Sequence, residues 1–185
     1  MHPAIFLDRD GVIIENNPAY VRSWDDVLFI PKSLAALAQL RHTSYKIIIV
    51  TNQSAIGRGI LPAEEAADIN SRLVDKIRQA GGRIDGVYMC PHAPQDACNC
   101  RKPKPGLLIQ AARELSLDLE KSILIGDALS DLQAGQAAGL NHLALVRTGR
   151  GLDQEKLTHP PGLIPYQVYI DLAEAVQSIL ASTEV

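Results

Sequence analysis

Short apolar runs alternate along the chain with longer segments in which apolar residues recur at helical spacing. The short runs are rich in Ile, Leu and Val and predict five strands: Ala4–Leu7, Lys46–Val50, Gly86–Met89, Ser122–Ile125 and His142–Val146. The longer segments predict four helices: Pro31–Arg41, Pro62–Ala80, Pro105–Leu115 and Ser130–Ala138. Pro31 and Pro62 fall at the predicted first turn, where the missing N–H of proline is harmless. A weak strand, Val168–Ile170, and a closing helix, Leu172–Leu180, complete the pattern.

This alternation of strands and helices is typical of an α/β fold. Strand–helix–strand units are connected by right-handed crossovers, so they predict a doubly wound, mostly parallel sheet with helices on both faces. The strands are mostly apolar, which indicates that both faces of the sheet are covered. A chain of 185 residues fits a single domain, residues 1–185. Ligands of such sheets bind beyond the carboxyl ends of the strands, so chemistry is expected there.

Composition narrows the class of partner. The formal charge is −3, so we expect no basic stripe for nucleic acid or for an anionic membrane. The apolar runs are too short to cross a bilayer, and the first residues lack the features of a signal peptide. All three cysteines lie between Cys90 and Cys100, which does not suit a disulfide framework. We therefore expect a cytoplasmic monomer that binds or converts a small molecule.

Carboxylates and a hydroxyl follow three of the predicted strands. Asp8 and Asp10 lie two residues apart after the first strand, so their side chains can point at one place, one attacking while the other moves protons. Thr51 ends the second strand, where a hydroxyl and backbone amides suit a phosphoryl oxygen. Asp127 ends the fourth strand and, facing Asp8, would complete an oxygen-rich Mg²⁺ site. Each segment taken alone is explained as well by a polar turn.

Two other charged positions allow two interpretations each. Asp131 fits either the metal site or the first turn of a helix, where a carboxylate favours the helix dipole. Lys102 lies in the segment Arg101–Pro105, where flanking prolines would fix a cation beside a transferring phosphoryl group. A charge cluster of this kind is more often a solvated basic loop.

The cysteines predict a metal site. Together with one histidine they form the pattern C-x-H-x5-C-x-C, made of Cys90, His92, Cys98 and Cys100. Three thiolates and one imidazole form a closed tetrahedral Zn²⁺ set with no open position for a reactive water, which indicates a structural zinc loop at about residues 90–100. The alternatives are a chance cluster of buried thiols and, less favoured, a catalytic cysteine.

The acidic, hydroxyl and basic segments resemble, in this order, the four motifs of haloacid-dehalogenase-type (HAD-like) phosphatases: Asp8-Arg9-Asp10-Gly11, Thr51, Lys102 and Gly126-Asp127. The resemblance implies that Asp8 is a nucleophile that forms an aspartyl-phosphate, and that Asp10 is the general acid and base. It also implies Mg²⁺ held by Asp8, Asp127 and the main-chain carbonyl of Asp10, with Thr51 and Lys102 on the phosphoryl oxygens. The interval between Asp10 and Thr51 is too short for a separate cap domain.

A narrower resemblance joins these motifs to the zinc pattern. Asp8–Gly11, Thr51–Gly59 and Cys100–Pro103 are similar to the D-glycero-D-manno-heptose-1,7-bisphosphate 7-phosphatase family. Its relative, the histidinol-phosphatase domain, typically has an acidic residue where Ser54 stands. The chain departs from the heptose family at Ala128, where Lys is common. The resemblance implies a small phosphorylated sugar as substrate, recognised by loop residues: Asn16, Tyr20, Asn52, Gln53, Ser54 and Arg101, with Arg58 or Arg101 facing a second phosphate.

Three other functions stay open from the sequence. A histidinol-phosphate phosphatase, the close relative, would differ at the position of Ser54. A nucleic-acid end phosphatase would share the aspartate motif and would also require a basic groove. A non-catalytic zinc module would require no Mg²⁺ site, although all four motif positions are filled.

Overall fold

Six parallel strands form the sheet of the computed structural model, which describes residues 1–183. In chain order they are β1 (Ala4–Leu7), β2 (Lys46–Asn52), β3 (Gly86–Cys90), β4 (Ile123–Gly126), β5 (His142–Val146) and β6 (Gln167–Tyr169). Their order across the sheet is β3-β2-β1-β4-β5-β6, and every neighbouring pair is parallel. The predicted parallel α/β sheet is confirmed.

Helices cover both faces of this sheet. Within the described residues they are α1 (Ser33–Gln39), α2 (Ser54–Gly57), α3 (Ala63–Gln79), α4 (Gly106–Leu115), α5 (Leu129–Ala138), α6 (Gly151–Gln154) and α7 (Leu172–Thr183). The apolar residues of α1, α3 and α7 pack on one face, and those of α4 and α5 pack on the other. Successive residues of β1 alternate between the two cores, because side chains of a strand point to opposite faces in turn.

The helix boundaries correct the prediction in several places. Pro31 and Pro62 precede α1 and α3 rather than standing in their first turns, and Lys32, between Pro31 and α1, has a left-handed φ of 67°. The predicted helix over Pro31–Arg41 ends earlier and continues as a 3-10 turn, Leu40–His42. The helices α2 and α6 were not predicted, because four residues are too few to show a helical period.

The strand order explains where the site lies. The chain runs outward from β1 through β2 to β3 and then returns to the other side of β1 with β4. Such a reversal of direction opens a crevice beyond the carboxyl ends of the strands. Asp8 follows β1, Thr51 lies near the end of β2, and Asp127 follows β4. Three predicted site residues therefore meet at this crevice.

The segment that joins β1 to β2 is compact. Residues 8–45, all of them described, contain α1 and the 3-10 turns Trp24–Asp26 and Leu40–His42, so no cap domain stands between these strands. Across residues 1–183, no helix has the length and apolar character needed to cross a bilayer.

Candidate active site

An open cleft of about 590 Å³ lies beyond the carboxyl ends of the central strands. Ten of the residues predicted for catalysis or substrate binding line it: Asp8, Asp10, Asn16, Tyr20, Thr51, Asn52, Gln53, Ser54, Arg101 and Lys102. Asp127 is fully buried beneath the cleft. Arg58, one of the two arginines predicted to face a second phosphate, is exposed on the α2 side and is not part of the lining.

Asp8 and Lys102 form the buried centre of the cleft. The Lys102 Nζ lies 3.1 Å from Asp8 Oδ1 and 2.8 Å from Asp131 Oδ1. It also donates a hydrogen bond to the Val50 carbonyl at 2.8 Å. The ammonium group therefore contacts Asp8 after β1, the Val50 carbonyl of β2 and Asp131 of α5. The predicted solvated basic loop is excluded at Lys102, which is only 3% exposed.

Burial and charge act in opposite directions at this centre. Burial and, to a smaller extent, the neighbouring carboxylates of Asp131 and Asp127 raise the pKa of Asp8 to about 7, against the lowering effect of Lys102. Burial also opposes the charged form of Lys102, but Asp131 and Asp8 outweigh it, so the pKa of Lys102 lies above its ordinary range. Lys102 thus remains a cation, and more positive charge near Asp8 would favour its ionised form.

The position of Lys102 is fixed through its backbone. Its N–H donates to Asn52 Oδ1 at 3.1 Å, and Asn52 Nδ2 donates back to the Lys102 carbonyl at 3.1 Å. This reciprocal pair joins the end of β2 to the loop after Cys100. Asn52 was predicted to bind substrate; in the structure its carboxamide holds the loop that presents Lys102.

Asp10 sits in a hydrogen-bonded frame at the other side of the cleft. Its Oδ2 accepts hydrogen bonds from Gln53 Nε2 at 2.9 Å and, at the longer distance of 3.5 Å, from Thr51 Oγ1. Gln53 Nε2 also donates to Thr51 Oγ1 at 2.8 Å. The guanidinium of Arg9 contacts both Asp10 oxygens, at 2.9 Å and 3.1 Å. Thr51, Gln53 and Asp10 therefore form one network at the ends of β1 and β2.

Asp127 is enclosed by donors and by glycine backbone. Its Oδ2 accepts hydrogen bonds from Asn16 Nδ2 at 2.7 Å and from the Arg150 N–H at 2.9 Å. The Arg150 Nη2 lies 3.0 Å from Asp127 Oδ1. A Cβ on Gly11 would lie 2.1 Å from Asp127 Oδ2, and one on Gly149 would lie 2.4 Å from it. Only glycine lets both segments approach this carboxylate.

Oxygen ligands for a divalent cation converge between β1 and β4. Asp8, Asp127 and Asp131 each offer a carboxylate oxygen, and these atoms lie within 4.8 Å of one another. Carboxylate oxygens are the ligands that a hard cation such as Mg²⁺ prefers, so the chemistry of this set suits the cation. Each of the three already has partners: Lys102 for Asp8, Asn16 and Arg150 for Asp127, and Lys102 and the Ala128 N–H for Asp131. Asp8 and Asp127 are the two that the family resemblance assigns to the metal.

The cysteine and histidine side chains form a second cluster at the end of β3. The Sγ atoms of Cys90, Cys98 and Cys100 lie 3.2 to 3.6 Å apart. His92 Nδ1 lies 3.6 Å from Cys90 Sγ and 3.3 Å from Cys100 Sγ. A tetrahedral Zn²⁺ with Zn–S bonds of about 2.3 Å sets its sulfur ligands about 3.8 Å apart. The four atoms therefore fit a zinc ion bound through Nδ1.

Hydrogen bonds connect the zinc cluster to the cleft. The Gln53 N–H donates to the Cys90 carbonyl at 2.8 Å, and the Gly57 N–H donates to the Pro91 carbonyl at 2.8 Å. Arg101 Nη1 donates to the His92 carbonyl at 3.3 Å. The segment that holds the zinc ligands is therefore continuous with the segment that presents Arg101 and Lys102.

Comparison with known proteins identifies the family. A family model described as HAD-hydrolase-like matches residues 99–175. The D-glycero-beta-D-manno-heptose-1,7-bisphosphate 7-phosphatase of Photorhabdus laumondii is 41% identical over 160 residues, covering 83% of this chain and 85% of the relative. The enzyme of the same name from Bordetella bronchiseptica is 38% identical over 178 residues, covering 95% and 97%. The chain belongs to the heptose-1,7-bisphosphate 7-phosphatase family.

The fold of this family is also known from crystals. The B. bronchiseptica D,D-heptose 1,7-bisphosphate phosphatase, complexed with magnesium and phosphate, superimposes with a TM-score of 0.90 at 36% identity and covers 97% of this chain and 99% of its own. This heptose phosphatase family is HAD-like, so the predicted resemblance is confirmed at both levels.

Two arginines that contact the acidic residues of the cleft, Arg9 and Arg150, were not predicted from the sequence. Arg150 belongs to Arg147–Gly151, where the chain shows only a loop rich in glycine and arginine. Arg9 lies between the two motif aspartates and received no role of its own from the sequence, yet it is 1% exposed and contacts both oxygens of Asp10. Its place between Asp8 and Asp10 was the available signal, because a cation next to carboxylates favours their charged form.

Proposed function

We propose that this chain is a Mg²⁺-dependent phosphomonoester hydrolase that removes the 7-phosphate of D-glycero-D-manno-heptose 1,7-bisphosphate. The observation that carries the proposal is the meeting of Asp8, Asp10, Thr51 and Lys102 in one cleft, with Asp127 beneath Asp8. Family membership supports the same substrate, because the related enzymes are named for the β form of this heptose bisphosphate.

The first half of the reaction forms an aspartyl-phosphate. A carboxylate oxygen of Asp8 attacks the phosphorus of the 7-phosphate, and the bond to the sugar oxygen breaks. Asp10 gives its proton to that oxygen, so the sugar leaves as an alcohol. Lys102 and Thr51 contact the phosphoryl oxygens, and the fixed position of Lys102 suits a charge that spreads over them.

The second half releases phosphate. Asp10 takes a proton from a water molecule, which attacks the phosphorus and frees the Asp8 carboxylate. A Mg²⁺ held by Asp8, Asp127 and the Asp10 main-chain carbonyl would offset the negative charge of the phosphate dianion. Because the pKa of Asp8 is raised by burial, this added charge would also favour the ionised nucleophile.

Replacing the nucleophile tests the reaction. Asp8→Asn is expected to abolish phosphate release and to leave the circular dichroism spectrum unchanged, because an amide is nearly isosteric with a carboxylate and cannot form the acyl-phosphate. The matched control is Asp118→Asn, at a partly exposed aspartate that pairs with Lys121 and does not line the cleft, which should retain full activity. Turnover by Asp8→Asn would rule out the proposed nucleophile.

A substrate panel tests the specificity. Heptose 1,7-bisphosphate should be hydrolysed faster than heptose 7-phosphate, histidinol phosphate and a 5′-phosphorylated oligonucleotide. Preference for histidinol phosphate would support the related activity instead, and preference for the oligonucleotide would support an end phosphatase. Failure to hydrolyse any of them would support the non-catalytic zinc module.

Arg101 is proposed to bind the second phosphate of the substrate. It lines the cleft, whereas Arg58 does not, and a guanidinium suits a phosphate that projects outward. Arg101→Ala should raise KM for the bisphosphate about tenfold and change KM for the monophosphate little. Arg58→Ala, the matched control, should leave both KM values unchanged. Equal effects of Arg101→Ala on the two substrates would contradict this assignment.

The remaining loop residues are proposed to shape the substrate pocket. Asn16 and Tyr20 form one wall of the cleft, and Gln53 and Ser54 form another. Asn16 and Gln53 also hold Asp127 and Asp10, so they join substrate binding to the positions of the acidic residues.

We also propose a cellular location and an oligomeric state for the enzyme. The three cysteines gather with His92 as a set of possible metal ligands, a use of cysteine that supports action in the cytoplasm, where thiols stay reduced. The sheet and both its cores support a single domain over residues 1–185, acting as a monomer on a small sugar and without a nucleic-acid or membrane partner. Light scattering and cell fractionation test the oligomeric state and the location.

A further inference from the structure

Arg9 is a buried cation with a defined set of partners. Its Nε donates to Asp10 Oδ2 at 2.9 Å and its Nη2 donates to Asp10 Oδ1 at 3.1 Å. Its Nη1 donates to Asn70 Oδ1 at 2.9 Å. Such a fork fixes the plane of a carboxylate as well as its position, because two parallel hydrogen bonds leave it no freedom to rotate.

Asn70 connects this fork to a rigid element. It lies on α3, the 17-residue helix Ala63–Gln79, and is 7% exposed. Its Nδ2 donates to Met89 Sδ at 3.6 Å, which leaves its Oδ1 directed at Arg9. The order of contacts is therefore α3, Asn70, Arg9 and Asp10. None of the functions assigned above uses Asn70 or Arg9.

The two oxygens of Asp10 differ in their surroundings. Oδ2 accepts from Arg9 Nε, Gln53 Nε2 and, more distantly, Thr51 Oγ1. Oδ1 accepts only from Arg9 Nη2 among the hydrogen bonds of the described residues. A carboxylate oxygen with several donors has little room for a proton of its own. The structure thus makes Oδ1 the oxygen with capacity for a proton.

We propose that Arg9 and Asn70 are positioning residues that hold Asp10 so that Oδ1 carries the transferred proton. This inference rests on the proposed function, since it assigns an atom to the acid and base step. The proton on Oδ1 moves to the sugar oxygen as the P–O bond breaks. In the second half, a proton of the attacking water moves to Oδ1 as the bond between phosphorus and Asp8 breaks, which restores the starting state.

The test uses two leaving groups. Heptose 1,7-bisphosphate releases an alcohol that must be protonated, whereas p-nitrophenyl phosphate releases a phenolate that needs no proton. Asn70→Leu removes the acceptor for Arg9 and should lower the rate of aspartyl-phosphate formation from the heptose bisphosphate, measured in a single turnover, about tenfold, a part of the full effect of general acid catalysis. Its KM should stay unchanged, and the single-turnover rate of p-nitrophenolate release, which reports the same first half without transfer of a proton to the leaving group, should change less than twofold.

A matched variant separates positioning from folding. Asn70→Asp keeps an oxygen acceptor for Arg9 and should retain most of the activity toward both substrates. Arg9→Met should show the same leaving-group dependence as Asn70→Leu, with a larger loss. Equal losses of the first-half rate with both substrates, no loss in Asn70→Leu, or equal damage from Asn70→Asp and Asn70→Leu would each overturn the proposal. If Arg9→Met does not fold, the comparison of Asn70→Asp with Asn70→Leu still tests the positioning role.

The wild-type enzyme distinguishes this inference from the proposed function. Hydrolysis of p-nitrophenyl phosphate without hydrolysis of the heptose bisphosphate would overturn the proposed substrate alone. The comparison of Asn70→Leu with Asn70→Asp is then made with benzyl phosphate, whose leaving group is also an alcohol, and the same outcomes support or overturn the role of Arg9.

Discussion

Close contacts at single residues shape this cleft as much as its charged groups do. Gly149 has a φ of +59°, and a Cβ there would lie 2.4 Å from Asp127 Oδ2 and 2.4 Å from the Cα of Gly11. The hydroxyl of Thr148, the residue before Gly149, donates to the Gly11 carbonyl at 2.6 Å. The loops after β1 and β5 therefore both pack against the carboxylate of Asp127.

Gly149→Ala should weaken magnesium binding. The added methyl group must displace Asp127 or the loop, so Mg²⁺ affinity measured by calorimetry should fall about tenfold or more, a cost of at least 1.4 kcal/mol. Gly162 provides the control, because it also has a positive φ, +78°, but no atom lies within 4 Å of its added Cβ.

Gly162→Ala should carry only the backbone cost, about 1 kcal/mol of stability, with unchanged Mg²⁺ affinity. Comparable magnesium binding in the two variants would show that the approach of Gly149 to Asp127 does not matter for the site.

At the scale of elements, one carboxylate joins the starts of two strands. Asp85 immediately precedes β3, and its Oδ2 accepts from the Ile47 N–H of β2 at 2.8 Å and from Arg83 Nε at 3.2 Å. Partial burial opposes its charged form, but the Ile47 N–H and Arg83 outweigh this and hold its pKa below the ordinary value of 3.8. The ionised carboxylate therefore stabilises the pairing of β2 with β3.

Asp85→Asn should destabilise the fold by about 1 kcal/mol at pH 7. Because the pKa is lower in the folded state, the contribution of Asp85 is present above pH 4 and disappears as the pH falls through the folded-state pKa. Urea unfolding of both proteins at pH 7 and at pH 3 checks this, and the difference between them should shrink at the lower pH.

The control for Asp85 is Asp75→Asn. Asp75 pairs with Arg78 at 2.9 Å on α3, but both side chains are more than half exposed, so its loss should cost less than about 0.5 kcal/mol. An equal or larger effect at Asp75 would mean that burial does not distinguish the two carboxylates.

The sequence revealed the elements far better than the contacts between their side chains. Hydrophobic periodicity placed β1 and α3 within about two residues, because a buried face must be apolar along its whole length. It also placed Asp8, Thr51 and Asp127 at strand ends. Periodicity could not show that Asn52 holds the Lys102 backbone or that Arg150 contacts Asp127. Such contacts join segments far apart in the chain and produce no repeating pattern in the sequence.

The zinc loop was predictable for a different reason. A metal fixes the type and the spacing of its ligands, so Cys90, His92, Cys98 and Cys100 could be found without knowledge of the fold. Arg58 and Arg101 show the opposite case. Both are cations in loops near the motifs, and only the path of the chain places Arg101 in the cleft and Arg58 outside it.

At the scale of the whole molecule, zinc supports one wall of the cleft rather than the core. The ligands begin where β3 ends, at an edge of the sheet, and the two apolar cores are built mainly from the other strands and the helices. Chelation should therefore lower activity while the far-UV circular dichroism spectrum remains that of the folded sheet.

Limited proteolysis locates the effect of chelation. New cleavage is expected between residues 90 and 104, the segment that carries Arg101 and Lys102, and activity should return when Zn²⁺ is added back in the presence of Mg²⁺. Collapse of the circular dichroism signal in step with zinc loss would show instead that the metal is required for the fold.

The strand order has a consequence for how the protein matures. Asp8 and Thr51 come from the part of the chain that builds β1 and β2, whereas Asp127 arrives only with β4, which docks on the opposite side of β1. Neither half of the sheet therefore holds all the residues proposed for catalysis. During synthesis, the proposed activity should appear only when the later half closes against the earlier one.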